Sequence, residues 1–290
     1  MMIAAFEGSM PRPNYDDPAV RQQIRAIMEA MWGSVSNFLE FDFTSREEEM
    51  AGVDCTIFTP ANLKNQTQKL LYLHGGAYWL GSPTANSAVA LKMAHHSGLE
   101  VISVDYRLAP ENKFPAFVDD AVHAYDYISE HRRDFGITSF QPLAVGGDSA
   151  GGMLSAVVCQ EIKRKGGNQP KVQLLIYPAV DFADESGSMK SCGEVYPLTS
   201  DIMAWFAEQA LSSEADLEDL RASPMREKDL SGLAPAIVAT AGFDPLRDQG
   251  EAYAKRLSDA DVKTTYICYD TLTHAFTAMS GVLPPAKAAC

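Results

Sequence analysis

Short, nearly continuous apolar runs alternate with longer helical segments over most of the chain, and this alternation limits the fold more than any other feature. The runs lie at 70–73, 101–104, 143–145, 172–177, 236–241 and 264–269, with helical patterns near 84–97, 115–133, 149–164 and 248–260 between them. A run that is apolar at successive positions, rather than at every second one, belongs to a strand buried on both faces. Repeated βα units of this kind build a mostly parallel sheet with helices on both sides. The expected fold class is therefore α/β. Ligands of such sheets collect at the carboxyl ends of the strands, so the informative residues should stand just after each run.

The flanks read differently. A helix is expected over 18–32, with Asp17 as cap, Pro18 at its first position and Gly33 as its stop. Val20, Ile24, Ile27, Met28 and Met31 recur on one face of it, an apolar stripe that must cover something later in the chain. Strands are expected at 41–44 and 53–58, separated by a solvated turn at Arg46, Glu47, Glu48 and Glu49. A polar, helical insert occupies 183–222. A length of 290 residues suits one α/β domain with an elaboration better than two independent domains.

Charge and cysteine usage narrow the function. Twenty-four basic against 38 acidic residues leave a net charge of −14, which repels phosphate backbones and anionic membranes. Neither a nucleic-acid partner nor a membrane span is expected, since no apolar stretch approaches ~18 residues. The five cysteines, Cys55, Cys159, Cys192, Cys268 and Cys290, show no metal-ligand spacing and no even pairing. The opening MMIAAFEGSMPRP lacks the basic region and the apolar run of a secretory signal. The expectation is a cytoplasmic protein with free thiols, no metal and no organic cofactor.

The run at 143–145 leads into Gly146-Gly147-Asp148-Ser149-Ala150-Gly151-Gly152 and then into a helix. Gly147-x-Ser149-x-Gly151 between a strand and a helix is the pattern of a nucleophile elbow, whose small neighbours let a sharp turn close under the serine. A phosphate-binding turn is the bland alternative, but no accompanying lysine motif is present. His74-Gly75-Gly76-Ala77 follows the run at 70–73, where consecutive small residues let backbone N–H groups converge on one point. His74 itself reads as a structural residue that holds the loop. A serine nucleophile needs a base, and the base needs an orienting carboxylate. Of six histidines only His274 follows the elbow, just beyond the last run. Asp244 follows the run at 236–241, and Pro245 keeps its backbone extended. Asp248, four residues on, reads as the cap of the next helix.

These segments resemble the hormone-sensitive lipase family of α/β-hydrolases, the bacterial family IV or GDXG esterases. The likeness is carried by His74-Gly75-Gly76-Ala77, Asp105-Tyr106-Arg107-Leu108-Ala109-Pro110-Glu111, Gly147-Asp148-Ser149-Ala150-Gly151-Gly152, Asp244-Pro245-Leu246-Arg247-Asp248 and His274-Ala275-Phe276. The resemblance implies Ser149, Asp244 and His274 as a triad and an oxyanion hole from the N–H groups of Gly76, Ala77 and Ala150. It implies a hydrolase core of residues 41–182 and 223–290, capped by residues 1–40 and by the insert 183–222. The helix over 18–32 should then shield or line the acyl pocket. Family members usually carry glycine where Ala77 and Ala275 stand; if Ala77 needs positive φ, its Cβ costs ~1–2 kcal/mol. Arg107 and Glu111 are expected to pair beneath the elbow, and Asp119 and Asp120 to be solvated or to pack.

The expected activity is a cofactor-free serine carboxylester hydrolase acting on short- to medium-chain acyl esters. Two rivals remain open at this point. One is a lactone or amide hydrolase with the same triad. The other is a non-catalytic binding protein like the plant gibberellin receptors, which lack the histidine that His274 supplies here. Family members often form homodimers through the sheet edge.

Overall fold

The computed structural model describes residues 17–36, 41–137, 143–195 and 197–290, with the side chains of 31–36 outside that description. Among the described residues, eight strands form one sheet in the order β1-β2-β4-β3-β5-β6-β7-β8. After α1 (Pro18–Ser36) come β1 (Phe43–Met50), β2 (Val53–Pro60), β3 (Lys69–Leu73), α2 (Ser87–Ser97), β4 (Glu100–Val104) and α3 (Ala116–Glu130). Then follow β5 (Leu143–Asp148), α4 (Ala150–Arg164), β6 (Gln173–Ile176), α5 (Gly187–Ser191) and α6 (Ser200–Ala210). The chain ends with β7 (Ala236–Phe243), α7 (Arg247–Asp259), β8 (Thr264–Thr273) and α8 (Pro284–Ala289). Strands β3 to β8 pair in parallel, while β1–β2 and β2–β4 are antiparallel.

The continuous apolar runs are explained by burial on two faces. Leu71 and Leu73 of β3 join a core with α3, α4 and α7, whereas Leu70 and Tyr72 join a second core with α2. β5 lies between β3 and β6. Its carboxyl end therefore opens at the middle of the sheet, flanked by the ends of its neighbours.

Several local expectations need correction. Arg46, Glu47, Glu48 and Glu49 form no turn but belong to β1, whose side chains are exposed until Met50. The turn falls at Ala51 and Gly52, both with positive φ (55° and 81°), as a two-residue hairpin turn requires. Charges on an edge strand keep other chains from pairing with it, so the acidic run fits a strand as well as a turn. Gly33 does not stop α1, which continues to Ser36. β8 runs on to Thr273 and delivers His274 directly from the strand end.

The stripe on α1 is also only part of what docks it. Val20, Ile24 and Met28 are half-buried, Ile27 is exposed, and the Met31 side chain lies outside the described residues. Arg21 and Arg25, one turn apart, carry the inner face. Arg21 Nε donates to Glu111 Oε1 at 3.0 Å, and Arg25 Nη2 donates to Glu111 Oε2 at 2.8 Å. Arginine stems bury readily when the guanidinium finds a carboxylate, and a hydropathy pattern scores them as outward-facing. Glu111 thus does not pair with Arg107, as expected above. Arg107 instead makes a forked pair with Asp120, which is buried and so packs, one of the two roles expected for it, and Asp119 pairs with Arg221.

Burial would raise the Glu111 carboxyl, but the hydrogen bonds and charge of Arg25 and then Arg21 prevail and hold it down at about 2, from an ordinary 4.5. A carboxylate depressed in the fold contributes stability above its unfolded value and loses it as pH falls through the folded one. Wild type should therefore be more stable than Glu111→Gln by a constant margin above pH 4.5, and that margin should close between pH 4.5 and 2. Urea midpoints of both proteins across this range check it. A margin independent of pH would remove the carboxylate from the anchor.

Candidate active site

The carboxyl end of β5 passes into α4 through one residue, Ser149, with φ 56° and ψ −118°. Such a backbone costs a non-glycine residue ~1–3 kcal/mol and persists only where its surroundings leave no alternative. Here they leave none. A Cβ at Gly151 would stand 1.8 Å from the Leu73 carbonyl oxygen, so α4 presses against β3 with no room for a side chain. Ser149 N donates to Ile176 O at 2.8 Å, tying the turn to the end of β6.

The turn points the hydroxyl at the loop beyond β8. Ser149 Oγ lies 2.9 Å from His274 Nε2, and His274 Nδ1 lies 2.8 Å from Asp244 Oδ2. Asp244 is fully buried at the end of β7, and its other oxygen accepts from Leu246 N at 2.8 Å. An ionised carboxylate only accepts, so Nδ1 carries the proton and Nε2 presents its lone pair to the serine hydroxyl. The three residues singled out in the sequence are thus in one line. Asp248 is elsewhere. It does not cap α7 but accepts from Ser188 N at 2.7 Å, in the first turn of α5, and from Arg247 Nε at 2.8 Å.

The loop after β3 holds three consecutive residues of positive φ: Gly76 (127°), Ala77 (54°) and Tyr78 (61°). The N–H groups of Gly76, Ala77 and Ala150 have no acceptor among the described residues. Ala77 and Ala150 line a cavity of about 190 Å³ together with Ser149. Its other walls include Tyr78, Phe182, Met203, Phe206 and Leu246, with Asp181 and Asp184 as its carboxylates. No described residue of α1 lines it, so of the two roles expected of that helix, shielding or lining the pocket, lining is not seen; α6 supplies part of the wall. Among the described residues no group of three or more His, Cys, Asp or Glu is placed to hold a metal ion.

Two buried residues brace the loops. His74 is fully buried, donates from Nδ1 to Gly75 O at 2.8 Å and stacks on Tyr106; burial lowers its pKa to about 4, so it is neutral. Asp148 was not singled out in the sequence. It accepts from Tyr72 OH at 2.6 Å, Gly75 N at 3.0 Å and Tyr177 OH at 3.4 Å. The Tyr177 hydroxyl bonds in turn to Thr277, three residues beyond His274. One carboxylate therefore joins the glycine loop, the elbow strand and the histidine loop. Its signal in the sequence was an acid at the end of a doubly buried strand, a place where a charge is expensive unless it is saturated with donors. Burial pushes its carboxyl up, and the Tyr72 and Gly75 hydrogen bonds pull the other way.

Residues 70–278 match the family model described as the alpha/beta hydrolase fold. The chain belongs to the α/β-hydrolase family. Within it, this hydrolase is of the hormone-sensitive lipase type. It is 41% identical to the carboxylic ester hydrolase LipN of Mycobacterium tuberculosis over 267 residues, 90% of this chain and 70% of that protein. It is 37% identical to an ethyl acetate hydrolase of Pseudomonas putida, over 75% of this chain and 68% of the relative. An ester-hydrolase from the metagenome of Lake Arreo, solved with a derivative of bipyridine phosphonate, superposes with a TM-score of 0.88 at 37% identity, covering 99% of this chain and 92% of the other.

In this hydrolase both alanines at glycine-typical positions adopt positive φ, 54° at Ala77 and 62° at Ala275. The strain of ~1–2 kcal/mol at such a site exceeds the ~0.5–1 kcal/mol of chain entropy that glycine adds to the unfolded state. Ala77→Gly and Ala275→Gly should each raise the urea midpoint, by up to about 1 kcal/mol in unfolding free energy. A lowered midpoint would mean that the methyl packing outweighs the strain.

Proposed function

We propose that this protein is a serine carboxylester hydrolase acting on short- to medium-chain acyl esters. The observation that carries the reading is the Ser149–His274–Asp244 line at 2.9 and 2.8 Å, opening on a cavity edged by Ala77 and Ala150. In this reading the Ser149 hydroxyl attacks the ester carbonyl while His274 Nε2 takes its proton. Asp244 holds the proton on Nδ1 and stabilises the imidazolium. The tetrahedral oxyanion is met by the N–H groups of Gly76, Ala77 and Ala150, helped by the positive end of α4. His274 passes its proton to the leaving alcohol, and water repeats the attack on the acyl-enzyme, with the same residues in the same roles.

The cavity supports the choice of acyl length. About 190 Å³ is small beside the ~300–1,000 Å³ of pockets that hold drug-sized ligands. A relative described as an ethyl acetate hydrolase supports the same choice. The insert 183–222 acts as a cap over the hydrolase core, supported by the α6 residues in the cavity wall, and the N-terminal segment 1–40 completes it, supported by the docking of α1 on Glu111. The five free cysteines support a reducing, cytoplasmic setting. Among the described residues the sheet ends at β8, which pairs there with β7 alone, and that edge supports a homodimer.

Turnover of p-nitrophenyl butyrate should exceed that of the palmitate by at least an order of magnitude, and aryl amides and lactones should be poorer still. Ser149→Ala should lower kcat by as much as about 10⁶ with unchanged circular dichroism. Asp244→Asn should lower it by on the order of 10⁴, the loss for a histidine held in the wrong tautomer. Asp248→Asn should spare kcat and cost about 1 kcal/mol or less in urea unfolding. Activity of Ser149→Ala within tenfold of wild type would exclude the mechanism, and better turnover of an amide or lactone would move the substrate class.

A further inference from the structure

We propose that Arg25, on the N-terminal helix, is a positioning residue for the oxyanion loop, so that docking of α1 and assembly of the oxyanion hole are one event. The inference rests on the serine hydrolase reading above and goes beyond it. Arg25 touches no reacting atom. It acts on the two backbone segments that fix the loop after β3.

One guanidinium makes four hydrogen bonds on two segments. Arg25 Nε donates to Trp79 O at 2.8 Å, and Nη2 donates to Ala109 O at 2.7 Å. Nη1 and Nη2 donate to the two oxygens of Glu111 at 3.1 and 2.8 Å. The guanidinium carbon also lies 4.8 Å above the Trp79 ring. Both carbonyls belong to the loop's own support. Trp79 N closes a turn onto Gly76 O at 3.0 Å, and Ala109 N donates to Tyr78 O at 2.8 Å. Arg25 therefore holds the far end of the segment that contains Gly76, Ala77 and Tyr78, together with the strut that supports it.

This segment needs holding. Three successive residues sit at positive φ, and two of them are not glycine. Each such residue is strained by its Cβ, so the loop relaxes toward ordinary angles unless its contacts forbid it. Relaxation swings peptide planes, which turns the N–H groups of Gly76 and Ala77 away from a common point. The Trp79 ring also meets Trp205 and Phe206 of α6, with ring centroids at 5.3 and 6.2 Å. α1 also packs on the 3₁₀ turn Phe276–Met279, directly after His274. A forked, planar donor is suited to two carbonyls and a carboxylate at once, whereas an ammonium is a single point.

The test is Arg25→Met, which keeps the stem and removes the fork, beside Arg25→Lys and Glu111→Gln. Wild type must first hydrolyse p-nitrophenyl butyrate; if it does not, the hydrolase reading fails, whatever the variants do. With active wild type, Arg25→Met should lower kcat by 10- to 100-fold, below the full loss of about 10²–10³ for a missing oxyanion donor. KM should stay within threefold. Inhibition by butyl boronic acid, whose tetrahedral adduct places an oxygen in the hole, should weaken by the same factor as kcat. Arg25→Lys should restore part of the loss, and Glu111→Gln should lower kcat by a few-fold in the same direction. An active wild type with Arg25→Met within twofold in kcat, or with a lower urea midpoint and unchanged boronate affinity, overturns the inference. If Arg25→Met does not fold, unchanged kcat and boronate affinity in both Arg25→Lys and Glu111→Gln overturn it equally.

Discussion

A hydroxyl can meet an imidazole at the edge of a packed sheet only if the backbone carrying it turns sharply where no side chain has room, and the structure around Ser149 is organised by that turn. The φ of 56° at Ser149 is unfavourable by itself. It is held because α4 is buried along nearly its whole length and because Gly151 lies against the Leu73 carbonyl. Dispersion and apolar burial along this helix stabilise the fold by far more than the turn costs, so the strain is stored where it is useful. The same turn sets the start of α4 beneath Ala150, where free N–H groups and the helix dipole favour developing negative charge.

Around the elbow, the two buried carboxylates are held as saturated acceptors. Asp244 uses one oxygen on Leu246 N and the other on His274 Nδ1. Asp148 collects Tyr72, Gly75 N and Tyr177. An isolated carboxylate in such a place would protonate or disrupt the core. With donors on each oxygen it becomes a rigid joint instead. Asp148 thereby links three loops that come from distant parts of the chain, which keeps the serine, the histidine and the glycine loop in one register.

The outer contacts follow a different principle. Arg21 and Arg25 anchor α1 through Glu111, and Arg107 pairs with Asp120 beside the same loop. The sequence suggested one pair, Arg107 with Glu111, opposite charges four residues apart in one segment. In space the loop between them directs Glu111 outward to α1 and Arg107 back to α3. Four residues of separation limit distance but leave direction open, and direction belongs to the packed helices on either side.

The chain by itself determined a good deal. Continuous apolar runs required a doubly covered parallel sheet, because a strand with two buried faces has no polar side. The Gly147-x-Ser149-x-Gly151 spacing required a tight strand-to-helix turn, because only glycine leaves room beside Leu73 O. His274 and Asp244 were legible because strand ends of such a sheet converge and only one histidine follows the elbow. Tertiary structure decided the rest. Acidic residues in β1 read as a turn until the Ala51-Gly52 hairpin set their register. Asp248 read as a helix cap until α5 came near it. Arg21 and Arg25 had no place in the apolar stripe read for their helix, since hydropathy counts their charge and cannot see a carboxylate 86 residues away in the chain for Arg25 or 90 for Arg21. Local patterns carry backbone conformation and burial; which charge meets which is settled only when distant segments pack, because the energy of a pair depends on its spatial and not its sequential separation.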